Sequence, residues 1–518
     1  MWRVMCILLT ICLLSAAVSA ADEGTRLDLA SVPEDWILLG EYAAGAGDLQ
    51  VFSERLGVTV VVLKNYLFGT PTGGVQVNLV LTETEAEAQA LEELFLGFHP
   101  PEMVGRSGRR VLELVTEQPA LAELAKTALR FDLEGTSGAD QAVLREYLKA
   151  WSWSVARWED IAEYLDGELA DYRVFLVGET HGAACNQQLE SALLEFLVRQ
   201  GGVQNLLLEL SPSLVGFLRE YLETGDQALL DQVFSLVKGT YFFTEENYVH
   251  WQKVHDLYQS LPEGKELRLI GLDVEHQPLL ALSYLQRHLD RIDSSILSQS
   301  KLGQIDRILR GELSLDYNEA LSFVQDLLLE LQQKAVRAEL GELAGEFELV
   351  LSSLLAGLQL QTFSGLAWDS SREQAMYENF VRQVSPDDGQ KYFGQWGLHH
   401  VFQGQVLGVD WLASKIARTE GFSDSVFSMV LVYSGGERLS QDGSQTMPLS
   451  TYAGSTQVLP ELAGGQPLLA KLDSAGSPFT EELIWKLTEV SPASGVTTDY
   501  FQYLLFIPGA QASTPLVF

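Results

Sequence analysis

Residues Asp171 to Glu195, DYRVFLVGETHGAACNQQLESALLE, constrain this chain more than any other stretch. Arg173 to Val177 read as a short, mostly apolar strand. Gly178-Glu179-Thr180-His181-Gly182 follows as a polar loop bracketed by glycines. Leu189, Leu193 and Phe196 then recur at helical spacing. Strand, glycine turn and helix form a β–α unit, which delivers a carboxylate and an imidazole to the carboxyl end of a strand. Open α/β sheets bind ligands at that edge. The glycines let the backbone turn sharply and approach a ligand closely. An acid beside a histidine can activate water or hold a metal. In isolation the same Glu-x-His pair is more often a capping or structural hydrogen bond, so the downstream residues decide.

The downstream chain repeats the unit. Asn205 to Leu210 is a second strand with Glu209 near its end, and Ser211-Pro212 opens a helix. Leu267 to Leu272 runs out at Gly271-Leu272-Asp273, and Lys391 to Leu398 ends at His399-His400. Val426 to Val432 and Phe501 to Ile507 are later strands. This rhythm predicts an α/β fold over residues 145–518, a mainly parallel sheet with helices on both faces. Between 278 and 365 the pattern is Leu-rich and almost wholly helical. It predicts a helical insertion, either a packed subdomain or a wall or lid that excludes water from a cleft.

Residues 21–140 predict a small α+β domain. Val58 to Leu63, Val75 to Leu81 and Arg110 to Val115 are β-rich, while Glu83 to Leu96 and Pro119 to Leu129 read as helices. Gly135 to Asp140 has the composition of a linker. Helices bearing Trp151, Trp153 and Trp158 are expected to lead from it into the first strand.

With 518 residues, 47% hydrophobic and 20% charged, the composition is globular and suits two domains. A net charge of -36 argues against nucleic acid or an anionic membrane surface as partner. Arg3, the apolar run Val4 to Ala17 and Val18-Ser19-Ala20 predict a signal peptide at 1–20. The expectation is a periplasmic or secreted protein with no integral membrane segment after cleavage. Cys6 and Cys12 leave with that segment, so Cys185 has no partner for an intramolecular disulfide. A place near a helix start could make it reactive. A small buried role suits an oxidising compartment better.

Polar residues collect at the strand ends: Glu179 and His181, Glu209, Asp273 with Glu275 and His276, then His399 and His400. Seven of the eight histidines lie between 181 and 400. His250 and His255, five apart on one helix, are poorly spaced for joint ligation and read as structural or cleft-lining. A Gly-x-Ser-x-Gly elbow, His-Glu-x-x-His, Cys-x-x-Cys, a Walker loop and Gly-x-Gly-x-x-Gly are all missing from the sequence. What remains is histidine and carboxylate chemistry on water or on a metal.

The ordered set resembles the erythromycin esterase-like superfamily, which includes ChaN-like haem-binding proteins and Tiki-type proteases. The resemblance rests on Gly178 to Gly182, Glu209, Gly271-Leu272-Asp273, Glu245 to Gln252, Arg372 to Asn379 and Gly397 to Val401 followed by Leu407-Gly408. It covers roughly the last 370 residues. It implies an α/β core with a helical insertion and a deep cleft, and hydrolysis of an ester-like small molecule by activated water. His181 would be the general base, oriented with the water by Glu179 and Glu209. Arg372, Asp273 and His399 or His400 would bind substrate or stabilise negative charge. No cofactor is expected on that reading; the alternatives are a haem- or metal-binding protein of the ChaN-like type, or a metal-dependent hydrolase of the Tiki type with Glu179, His181 and a late histidine as ligands. The extra N-terminal domain and the Gly-Leu-His-His order depart from the esterases, whose pattern is more like His-x-x-His.

Overall fold

The computed structural model describes residues 36–44, 46–70, 73–96, 99, 103–107, 109–116, 138–406, 408–449, 451, 458–480 and 495–517. The predicted signal peptide and the predicted helix at Pro119 to Leu129 lie outside them. The chain divides into two compact units: Met1–Lys149 with Ser450–Glu461 and Glu482–Gly495, and Ala150–Leu449 with Leu462–Glu481 and Val496–Phe518.

The first unit holds a five-stranded sheet of β1 (Ile37–Ala43), β2 (Val60–Thr70), β3 (Gly73–Thr82), β4 (Val104–Ser107) and β5 (Arg110–Val115). Its order is β1-β2-β3-β5-β4 and every pairing is antiparallel. Strand alternation builds it. Val75, Val77 and Leu79 pack with Tyr66, Phe68, Leu112 and Leu114. Val80 and Val111 join a second cluster with Phe52, Ala88, Leu91 and Phe95, carried by helices Ala46–Leu56 and Glu85–Leu96. β2 pairs directly with β3. A helix, Gly138–Trp151, begins inside the stretch read as a linker.

The second unit is built on a nine-stranded sheet. Its strands are β6 (Ser152–Ser154), β7 (Val174–Glu179), β8 (Val203–Leu208), β9 (Arg268–Gly271), β10 (Lys391–Gly397), β11 (Val426–Leu439), β12 (Thr446–Pro448), β13 (Leu468–Lys471) and β14 (Tyr503–Ala510). The order is β6-β13-β14-β11-β7-β10-β8-β9, with β12 on β11. From β14 to β9 the pairings are parallel. β13 pairs antiparallel with β14 and β6, and β12 antiparallel with β11. The fold is α/β, and its sheet is only partly parallel. The antiparallel edge escaped the sequence reading because β6 and β13 are three and four residues long. Trp153 therefore lies in a strand and Trp158 in a short 3-10 turn, not in the expected helices.

Every residue of β7 is buried, so both faces of the sheet are covered there, which is why the strand reads as a continuous apolar run. The insertion is helical as expected, with Pro278–Leu289, Tyr317–Glu330 and Leu343–Leu360 its longer helices. Leu285, Leu327, Phe347 and Leu351 share one core with Phe175 and Val177 of β7. Leu343–Leu360 is long and apolar enough to cross a membrane, and eight of its residues, Phe347, Val350, Leu351 and Leu354 among them, are buried. It also presses on the loop after β9. The Glu275 N–H donates to Ser353 O at 3.2 Å, and a Cβ at Gly357 would meet Glu275 O at 2.3 Å.

Gly357→Ala therefore sets two effects against each other. Alanine in a helix interior gains up to about 1 kcal/mol over glycine, while a clash with backbone cannot be relieved by a rotamer change. The expected outcome is a net loss of roughly 1–3 kcal/mol, read as a lower urea midpoint. An unchanged or higher midpoint would contradict this packing.

Candidate active site

Four neighbouring strands, β7, β10, β8 and β9, run parallel, so their carboxyl ends share one edge. Glu179 ends β7, Gly397 ends β10, and Glu209 and Asp273 follow β8 and β9 by one and two residues. β10 lies between β7 and β8. Local periodicity carries no information on strand order. Gly397 stands in register with Glu179 across the β10–β7 pair.

The Gly178–Gly182 loop is held from several sides. Gly182 has φ +91, and a Cβ there would lie 2.5 Å from Leu439 O, so the position demands glycine. Gly182 O accepts from the Leu439 and Ser513 N–H groups, and the Ala184 N–H donates to Gln511 O. Asn186, wholly buried, donates to Thr180 O at 2.9 Å and accepts from the Tyr433 hydroxyl at 2.6 Å. Gln395 of β10 donates to Asn186 O at 2.9 Å and to Glu179 Oε2 at 3.4 Å.

His181 is thereby fixed. Its Nδ1 lies 2.6 Å from Glu179 Oε1 and its Nε2 3.8 Å from Glu209 Oε2. The Tyr241 ring flanks it at 5.3 Å. Burial disfavours the imidazolium, while the Glu179 hydrogen bond and the Glu209 and Glu179 charges favour it. With 36% of the side chain exposed, the attractions win and the pKa rises above 6.5. In the neutral form, Nδ1–H donated to Glu179 leaves the Nε2 lone pair free to accept a proton.

Glu209 is the buried hub. Its Oε1 accepts from Arg372 Nη2 at 2.9 Å and lies 3.1 Å from His400 Nε2. Its Oε2 accepts from the Gly397 N–H at 2.8 Å. Burial alone would raise its pKa, but His400, His181 and Arg372 hold it well below the ordinary 4.5. Arg372 comes from helix Gly365–Gln383 and also grips Asp273, Nε to Oδ1 at 2.9 Å and Nη2 to Oδ2 at 2.8 Å. Burial resists charge on Asp273, yet Arg372 and His276 keep it ionised, its pKa below the carboxylate range.

His400 completes the cluster. Its Nδ1 sits 2.7 Å from Glu373 Oε1, and the Glu373 Oε2 accepts from the Leu412 N–H. Burial opposes its charge, but Glu373 and Glu209 push its pKa up to about 10. His399 beside it behaves in the opposite way. Burial, then the His400 charge, push it down to about 4, and its ring packs on Trp411 at 4.9 Å. His276 is half exposed, with Nε2 3.1 Å from Asp273 Oδ2 and its ring stacked on Trp368.

The structure thus brings Glu179, His181, Glu209, Asp273, Arg372 and His400 into one network. The sequence reading passed over Glu373, Tyr241 and Gln395 as site residues. Glu373 had a signal in its place beside Arg372 within the Arg-acid-x-x-Met pattern. Elsewhere, His250 is buried, contacts Ser191 Oγ at 2.8 Å and is pushed down to about 3 by burial, a structural residue. Cys185 is driven up to about 12 by burial and then by Glu179, so the helix start does not activate it. Among the described residues, no group of three or more His, Cys, Asp or Glu could hold a metal ion, and Glu179, His181 and the late histidines do not form one.

No protein-family model and no curated protein sequence matches the chain. Solved structures do. A Bacillus cereus protein aligns at a TM-score of 0.55 and 15% identity, over 73% of this chain and 99% of its own. A succinoglycan biosynthesis protein aligns at 0.55 and 13%, over 73% and 100%. A mutant of the erythromycin esterase EreC in its open conformation aligns at 0.50 and 17%, over 67% and 93%. The chain shares the fold of these structures.

Removing one partner from a buried ion network is costly because the remaining charge has nowhere to go. Arg372→Met should lose about 3–5 kcal/mol at pH 7, measured by urea unfolding. The pH dependence follows from His400. Its raised pKa contributes stability that is full below 6.5 and fades as pH climbs through about 10. Glu373→Gln should flatten that alkaline decline, and an identical pH–stability curve in the variant would refute the pairing.

Proposed function

We propose that the protein is a hydrolase of an ester-like small molecule, acting through water activated by His181. The observation that carries the reading is the state of the imidazole: Nδ1 anchored on Glu179 and Nε2 open beside an anionic carboxylate. The fold shared with an erythromycin esterase structure is consistent with it. Site and fold do not select one ester. The signal-like segment at 1–20 supports action outside the cytoplasm.

The chemistry is general-base catalysis. His181 Nε2 takes a proton from water as the water oxygen bonds to the ester carbonyl carbon, and the carbonyl π electrons move onto oxygen. Glu179 and Glu209 stabilise the imidazolium so formed. The tetrahedral intermediate collapses, the C–O bond to the alcohol breaks, and the alkoxide recovers the proton from His181. Arg372 and His400 supply a fixed positive field near the developing oxyanion. They also keep Glu209 from competing as a base, since its lone pairs face their donors.

Purified protein should turn over a member of an ester panel, and His181→Ala should lose a factor of about 100 or more in kcat. Protonated imidazole cannot accept a proton, so the rate should rise with pH through a pKa above 6.5. Glu179→Gln removes the acceptor charge and should move that limb to lower pH. Full activity in His181→Ala would end the mechanism. A Soret band or stoichiometric metal in a sample without ester turnover would favour a binding protein built on the same cluster.

A further inference from the structure

Gly397 has φ -51 and ψ 138, a backbone conformation open to any residue. Nothing in the main chain demands glycine here. Space does. A Cβ at 397 would stand 3.1 Å from His181 Nε2, 3.4 Å from His181 Cε1 and 3.5 Å from Glu209 Oε2. Other glycines of the same sheet answer to packing: a Cβ at Gly178 would strike the Val401 side chain, and one at Gly394 the Trp396 indole. Gly397 faces the imidazole nitrogen and the carboxylate of the site. Its N–H meanwhile holds Glu209 in place, a bond that any residue except proline could make.

We propose that Gly397 is a specificity-determining residue, whose missing side chain keeps clear the approach to His181 Nε2 on the Glu209 side. General-base attack needs a water within about 3 Å of the base and, beyond it, the carbonyl carbon within about 3.5 Å of that water. A methyl group at 3.1 Å from Nε2 competes for that volume. The clearance admits a branched or bulky acyl group against the end of β10. This deepens the hydrolase reading and rests on it for the word ester, but the clearance itself can be measured without a substrate.

Diethyl pyrocarbonate acylates unprotonated imidazole nitrogen and so reports approach to Nε2. Its rate of modification of His181, followed by peptide mass spectrometry across pH, is compared between the wild-type chain and Gly397→Ala. In parallel both are assayed on aryl esters of increasing acyl size. The expected result is modification slower by a factor on the order of 10 or more in the variant. The His181 pKa should not rise, since a methyl beside Nε2 only adds burial, and the deficit in turnover should grow with acyl bulk. Equal modification rates would overturn the proposal, as would a wild-type His181 that resists the reagent. A raised His181 pKa would overturn it too, by showing the ring moved towards its acids and not covered. An alanine variant that fails to fold would refute the premise that the backbone suits any residue. Slower modification of the variant with no ester turned over by either chain would sustain the clearance and defeat the hydrolase reading.

Discussion

One carboxylate holds the site together. Glu209 lies at the end of a buried strand, where an unpaired charge would cost several kcal/mol. Its surroundings are set by that need. Oε1 takes Arg372 and His400, and Oε2 takes a backbone N–H and faces His181. Arg372 must in turn be buried, and Asp273 grips it through two hydrogen bonds. His400 must be charged, and Glu373 supplies the second anion. Each added charge requires the next, until the outermost members reach backbone donors or solvent: Leu412 N–H for Glu373, Val274 N–H for Asp273, and the half-exposed His276.

That chain of compensation explains why two histidines touching the same carboxylate differ. His400 is enclosed, lies between Glu209 and Glu373, and is pushed to about 10, where it acts as a fixed cation. His181 has one close acid and one more distant, and part of its ring meets solvent. Burial works against its charge, and the Glu179 hydrogen bond with the Glu209 and Glu179 charges still raises its pKa from 6.5. A titrating base beside a permanently charged neighbour is the separation of roles that acid–base chemistry near neutral pH requires.

Much of this was legible in the sequence, for a physical reason. A polar residue that closes an apolar run is visible without knowledge of the fold, and Glu179, Glu209 and Asp273 all stand so. The Gly-Glu-Thr-His-Gly loop announces itself by its glycines. The insertion of β10 between β7 and β8 was not legible, because strand order is fixed by packing of crossovers and not by local periodicity. Glu373 was hidden for a related reason. Adjacent residues on a helix point about 100° apart, so an arginine and a glutamate in sequence suggest one solvated pair. Helix Gly365–Gln383 buries Glu373, Met376, Asn379 and Phe380, and Arg372, one position before that stripe, reaches the same cluster.

The two glycines nearest the imidazole show how far side-chain-free positions can be read. Gly182 is explained by the backbone: its φ is positive and Leu439 O occupies the space a Cβ would take. Any other residue there would strain the loop that carries His181, so its effect on chemistry is indirect. Gly397 has neither constraint. Its conformation is ordinary, and the atoms a side chain would meet are His181 Nε2 and Glu209 Oε2, the two that face each other across 3.8 Å. A glycine that the backbone does not require, facing those two atoms, fits a gap kept for the ligand. The same gap explains why Glu209 and His181 stop short of a direct hydrogen bond: Glu209 is held back by Arg372, His400 and the Gly397 N–H, and His181 by Glu179. With both groups restrained from behind, the imidazole nitrogen and the carboxylate oxygen can engage a third molecule instead of each other.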